Sequence, residues 1–207
     1  MPDTEIAVFQ KEIANKPIGE RIALWAEKFV GTPYDPDPLG EYVTKKVIVA
    51  DERVDCMYLS FRAVELALSL TPDKAIDIAL DKRFITKGRL DSKGNVINYE
   101  DRFQYGEDML DSGRWGNEIT EQLGKVTEIK ASRGKEKVKI ISKKTMLDGL
   151  NSSSGSINSK LKSGDFIFFI KAVEKRRAVE IVGHIGIVKI EHRIQSIAAR
   201  GDPTRQE

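Results

Sequence analysis

Cys56 is the single cysteine of this 207-residue chain. It stands in Arg53-Val54-Asp55-Cys56-Met57-Tyr58-Leu59-Ser60, where a polar segment gives way to an apolar run with helical spacing. A thiol in the first turn of a helix faces unpaired backbone N–H groups and the positive end of the aligned peptide dipoles. That setting favours the thiolate, the nucleophilic form of cysteine. Taken alone, the stretch suits a buried structural cysteine better, because free cysteine is among the most buried residue types. A base lies far downstream, where His184 heads the apolar segment Gly183-His184-Ile185-Gly186-Ile187-Val188. An imidazole in hydrogen-bond reach of the thiol takes its proton, the sulfur attacks an amide carbonyl, and the proton passes to the leaving amine. A lone histidine in a strand is more commonly a satisfied core residue.

Placing such a pair requires a helix that begins at Cys56 and a strand that begins at His184. Leu59, Ala63, Leu66, Ala67 and Leu70 continue one apolar face from Cys56, and Thr71-Pro72-Asp73 stops that helix and caps the next, 74–80. Upstream, Ile6, Phe9 and Ile13 mark a first helix that ends at Lys16-Pro17. Ile18, Ile22, Trp25 and Phe29 mark a second, with Gly31 placed to cap it. The proline- and glycine-rich run 31–40 must be a loop, and 47–50 reads as a short strand. Residues 83–98 suggest an excursion or hairpin, and 99–110 a further helix. Beyond it, 126–129, 138–141, 166–173, 178–182 and 185–190 read as strands, with a Gly/Ser/Asn-rich loop at 151–164. Helices first and strands after predict an α+β fold, with a helical part over about 1–122 packed on an antiparallel sheet from about 123–207, in a single domain spanning 1–207.

Composition excludes several classes of function. With 40% hydrophobic and 32% charged residues the chain reads as globular rather than disordered or membrane-embedded. A net charge of +2 gives no drive toward nucleic acid, and the basic stretch 135–144 alternates with Val138, Ile140 and Ile141 as a solvated strand face does. No run is long enough to span a membrane, and the N-terminus lacks the regions of a signal peptide, which predicts a cytoplasmic chain unless an export signal has been removed. One cysteine and two histidines cannot form an ordinary structural zinc site, and thiol chemistry needs no metal or organic cofactor.

Four segments occur in a telling order: Phe29-Val30-Gly31-Thr32-Pro33-Tyr34, Val54-Asp55-Cys56, Ser163-Gly164-Asp165-Phe166-Ile167-Phe168-Phe169, and Gly183-His184-Ile185-Gly186-Ile187-Val188. In this order they resemble papain-like cell-wall hydrolases of the NlpC type. The chain is most similar to their N-acetylmuramoyl-L-alanine amidase-like branch, a bacterial group with a long insertion between cysteine and histidine. Arg102-Phe103-Gln104-Tyr105-Gly106, running on to Arg114-Trp115-Gly116-Asn117-Glu118-Ile119-Thr120, resembles that insertion.

The resemblance implies a papain-like fold and a peptidoglycan or muropeptide substrate. Cys56 would be the nucleophile and His184 the general base and acid. Tyr34 would line the cleft and assist the oxyanion, with the Cys56 backbone N–H as the other donor. Asp55 would border the substrate pocket, where it could hold a cationic amine. A loop anchor for Tyr34 and a helix N-cap for Asp55 fit those residues equally well. Relatives carry a third polar residue, often histidine, about a dozen residues after the histidine. Here Gln195 or Ser196 are the nearest candidates. The implied bond is the amide between N-acetylmuramic acid and L-alanine. The alternatives are the γ-D-glutamyl–diamino acid bond, or a wall-binding module whose catalysis is impaired. A wall substrate implies the periplasm or the cell exterior.

Overall fold

A computed structural model of the chain describes residues 1–35, 41–131, 136–151, 157–176, 180–191 and 194–197, with Glu41 and 194–197 described as backbone only. Helices α1 (Asp3–Ile13) and α2 (Ile18–Lys28) come first, followed by the short α3 (Glu41–Thr44), then α4 (Cys56–Leu68) and α5 (Pro72–Lys82). A 3₁₀ turn (Tyr99–Asp101), α6 (Gly106–Ser112) and α7 (Thr120–Leu123) lead to an antiparallel hairpin of β1 (Val126–Lys130) and β2 (Lys137–Ile141). After α8 (Lys143–Asn151), strands β3 (Phe166–Ile170), β4 (Val182–Ile190) and β5 (Ile194–Ile197) form an antiparallel sheet in that order.

The architecture is the mixed helix and antiparallel sheet that the pattern predicts, with local differences. The strands make two separate sheets rather than one, and α7 and α8 are interleaved with the hairpin. Helix α8 has a local start signal, since Ser142 Oγ accepts from the Thr145 N–H at 3.0 Å. Residues 47–50 are not a strand, because other groups take their backbone partners. The Val47 N–H donates to the Tyr42 carbonyl (3.2 Å), the Ala50 N–H to the Tyr58 hydroxyl (2.6 Å), and the Ile48 carbonyl accepts from Arg83 (2.8 Å). The helix expected over 99–110 breaks after Asp101, where the Phe103 N–H turns to the Arg83 carbonyl at 2.8 Å, and α6 starts afresh at Gly106. Strand β3 stops at Ile170, and the two strands expected at 178–182 and 185–190 meet in β4, with 177–179 outside the described residues.

Helix α4 is the centre of the molecule. Every residue from Tyr58 to Ala67 is buried, as expected for a helix apolar on nearly all sides. One side of it joins α1, α2 and α5 in a core that holds Ile6, Trp25, Leu66, Ala75 and, from the sheet, Ile187. The other side, with Phe61, packs on Phe103, Met109, Val182 and Ile185.

Two buried ion pairs tie α4 to what surrounds it. Arg62 donates to both carboxylate oxygens of Asp51 (2.9 and 3.1 Å), and the Tyr58 hydroxyl donates to the same carboxylate at 2.7 Å. Glu65, fully buried, accepts a two-pronged pair from Arg83, both at 2.6 Å. Arg83 also lies over the rings of Tyr58 and Tyr42, at 4.9 and 5.8 Å.

The helices meet the sheet at a contact only glycine allows. A Cβ on Gly19 would lie 2.1 Å from the Ser163 carbonyl oxygen, and Gly164, at φ +90°, has the Gly19 Cα in the same space. Gly19→Ala is expected to lower stability by about 1–3 kcal/mol through overpacking. A thermal melt reads this, and an unchanged midpoint would refute the close crossing.

Candidate active site

Cys56 is the first residue of α4, and the cap ahead of it explains why the helix begins there. Asp55, at φ −96° and ψ 177°, turns its carboxylate back to accept the Tyr58 N–H at 2.6 Å. Asp55 is therefore a helix N-cap. Burial raises its pKa above the ordinary aspartate value despite the N–H groups of Tyr58 and Met57, and the neighbouring charge of Asp35 adds to the rise.

The loop carrying Tyr34 is fastened directly to this cap. Tyr34 and Val54 form a parallel bridge, with the Asp35 N–H donating to the Val54 carbonyl and the Val54 N–H to the Pro33 carbonyl, both at 3.0 Å. Arg53 donates to the Tyr34 carbonyl at 2.9 Å. The phenol is partly buried, and burial, followed by the nearby acidic groups of Cys56, Asp55 and Asp35, pushes its pKa up to about 12. Near neutrality it is a protonated hydroxyl, able to donate.

The thiol lies against the sheet. The Ile185 backbone N–H, next to His184, favours its thiolate, and Cys56 packs into the cluster of Phe61, Val182 and Ile185. Partly buried Trp115 adds a wall, tilted on Phe61 with ring centroids 5.1 Å apart and edge-on to Phe166 at 6.3 Å. The segment resembling the family's insertion thus packs in the thiol's own cluster.

Burial, and then the Asp55 charge, push the Cys56 thiol up to about 11, although the N–H groups of Ile185, Cys56 and Met57 favour the thiolate. The helix-start position alone predicts a lowered pKa. Desolvation outweighs that effect here. His184 is partly buried, and burial holds its pKa below the ordinary histidine value of 6.5. Both groups are thus neutral near pH 7, and the imidazole lies on the Phe169 face of β4 while Ile185, on the other face, packs with Cys56. Carboxamidomethylation of Cys56 by iodoacetamide at pH 7.5 is accordingly expected to run at least about tenfold slower than that of a free thiol. Labelling faster than a free thiol at pH 6 would show a standing thiolate–imidazolium pair instead.

His184 sits just past an irregularity. Phe169 pairs with His184 and Ile170 with Val182, so Gly183 is extra on β4. That single insertion turns Val182 and Ile185 to the same buried side. The imidazole shares its face with Phe169, at a ring separation of 5.9 Å. Among the described residues, no hydrogen bond orients the imidazole. Strand β5 pairs Gln195 with Lys189 and Ser196 with Val188, and it ends at Ile197 opposite Ile187. At about 3.3 Å per residue, both candidate third members have their backbones roughly 13–17 Å along the strand from His184. The register does not bring them to the imidazole; their side chains lie outside the described residues.

Sequence reasoning brings Tyr34, Asp55 and Cys56 to one place, and the structure sets the strand of His184 beside them. It missed the Ile185 N–H, for which side-chain patterns carry no signal. It also missed Glu107, next to Asp108 in sequence, whose carboxylate accepts from the backbone of β4. Among the described residues no group of three or more His, Cys, Asp or Glu side chains is placed to hold a metal ion, and no helix is long and apolar enough to cross a membrane.

This mixed fold, with a cysteine-headed central helix against an antiparallel sheet, has counterparts among solved structures. The chain is similar to two crystal structures of an N-acetylmuramoyl-L-alanine amidase from Bacteroides uniformis ATCC 8492, with TM-scores of 0.55 and 0.56. In each case the identity is 16%, over 88% of this chain and 85% of the other. No family model and no curated protein matches the chain.

Proposed function

We propose that the chain is a cysteine amidohydrolase of papain-like type that cleaves an amide bond in peptidoglycan or its fragments, foremost the bond between N-acetylmuramic acid and L-alanine. The observation that carries this reading is the Cys56 thiol at the head of α4, held beside Tyr34 and the backbone next to His184, in a fold shared with an amidase of that specificity. His184 takes the thiol proton as sulfur bonds to the carbonyl carbon. The oxyanion is held by the Cys56 backbone N–H and the Tyr34 hydroxyl. The imidazolium then protonates the amine of L-alanine, the C–N bond breaks, and a thioester to the muramic acid lactyl group remains. Water, deprotonated by His184, cleaves the thioester and restores the thiol. Asp55, besides capping the helix, faces a place where a cationic amine of the stem peptide would be held. Such a substrate places the protein in the periplasm or outside the cell.

Digestion of purified muropeptides, with mass analysis of the products, tests the bond. The amidase reading expects a sugar fragment ending in the lactyl carboxylate and a peptide with a free L-alanine amine. Cleavage between D-glutamate and the diamino acid would instead assign the endopeptidase specificity.

A further inference from the structure

We infer that Glu107 is a positioning residue for His184: its carboxylate on α6 fixes the path of β4 just ahead of the imidazole. This rests on the reading of Cys56 and His184 as the reacting pair.

Glu107 is 4% exposed and follows Gly106, the first residue of α6. Its Oε1 accepts hydrogen bonds from two consecutive backbone groups, the N–H of Ile181 and that of Val182, the latter at 2.9 Å. In a regular strand consecutive N–H groups point to opposite edges, so one oxygen cannot serve both. Here they converge because the chain is irregular: Gly183 is extra, and the Lys171 backbone N–H donates to the Ile181 carbonyl at 2.8 Å. Without an acceptor, two buried N–H groups would be left unsatisfied at this point. A carboxylate oxygen meets both with charge-assisted bonds.

The helix is pressed onto the strand by its neighbours. A Cβ on Gly106 would come within 2.8 Å of Val182 Cγ1 and 3.4 Å of Ile185 Cδ1. Phe103 and Met109, on either side of Glu107 in sequence, pack in one cluster with Val182, Ile185 and Cys56. The clamp thus joins the segment between cysteine and histidine to the two residues before the Gly183-His184 step. From there the strand continues to Ile185, which packs in the same cluster as Cys56. A burial role alone would be filled by an apolar side chain at lower desolvation cost. Two acceptor bonds at a fixed reach set where the next residues go.

The test separates reach from charge. Glu107→Gln keeps an oxygen at the same distance, whereas Glu107→Asp keeps the charge and draws the oxygen back by about one C–C bond, ~1.5 Å. The expected result is kcat within about threefold of wild type for Gln, and a fall of roughly 10- to 100-fold for Asp with little change in KM, since a displacement near 1 Å in a catalytic constellation can cost that much. A second readout needs no turnover: followed by NMR, the His184 ring titrates below 6.5 in the wild type and in Glu107→Gln, and moves toward 6.5 in Glu107→Asp. An Asp variant with wild-type kcat and titration, or a Gln variant as impaired as Asp, overturns the inference. Wild-type cleavage that survives in Cys56→Ala sinks the catalytic pair itself, whatever the Glu107 variants do.

Discussion

Replacing Cys56 with alanine is expected to lower muropeptide cleavage by at least about 10⁴-fold while leaving the melting temperature within a few degrees of wild type. The size follows from the chemistry, since removing the nucleophile of a covalent mechanism leaves only binding and oxyanion donors. Stability is spared because Cys56 is only partly buried and the cap on α4 belongs to Asp55, which the substitution leaves in place. The pH dependence has a defined sign. On the proposed mechanism His184 acts as a base in its neutral form, and burial holds its pKa below 6.5, so activity is expected to fall as the pH drops through that lowered pKa. With the thiol pushed up to about 11, the rate should not climb through pH 8 as it would if free thiolate were the reacting species. Measuring kcat/KM from pH 4.5 to 9 checks both limbs, and a rise through pH 8 would remove His184 from the role of base.

The largest effect on stability is expected at Glu65 and Arg83. Truncating either to alanine leaves a buried charge without its partner, which costs about 3–5 kcal/mol. Both side chains are almost inaccessible, and the pair is held by two short bonds plus the Arg83 donation to the Ile48 carbonyl. Arg83 also spans the rings of Tyr58, Tyr42 and Phe61 (4.9, 5.8 and 5.7 Å), so its loss removes packing as well as charge. Urea denaturation of Glu65→Ala, Arg83→Ala and the double variant measures the coupling. The double variant should be clearly less destabilised than the sum of the singles. Additive losses would mean that the two residues act independently.

Much of this arrangement was legible in the sequence because the determining interactions are local. The apolar spacing from Leu59 to Ala67, the aspartate before Cys56 and the Thr71-Pro72 stop each act within a turn of helix, and each appears where the pattern puts it. The errors lie where distant partners decide. Residues 47–50 have strand-like side chains, yet a tyrosine hydroxyl and an arginine from other elements take their hydrogen bonds. The helix expected over 99–110 breaks because Phe103 pairs with Arg83 instead of its own preceding turn. At the site, the type and order of Tyr34, Asp55, Cys56 and His184 were readable, but the protonation state of the thiol was not. It depends on burial by Phe61 of α4 and by Val182 and Ile185 of the distant strand β4.

The crossing of Gly19 and Gly164 bears on the order in which the molecule is assembled. Gly19 of α2 comes early in the chain, and the turn it touches, at Ser163 and Gly164, follows far later. The helical core likewise stays open until Ile187 of β4 fills it. Contacts so far apart in sequence carry a high loop-closure cost and form late. A ribosome would release all the helices before the strand of His184 could dock beside Cys56. Cys56 is synthesised well before the strand of His184, so the growing chain carries its thiol for a long stretch without that strand beside it.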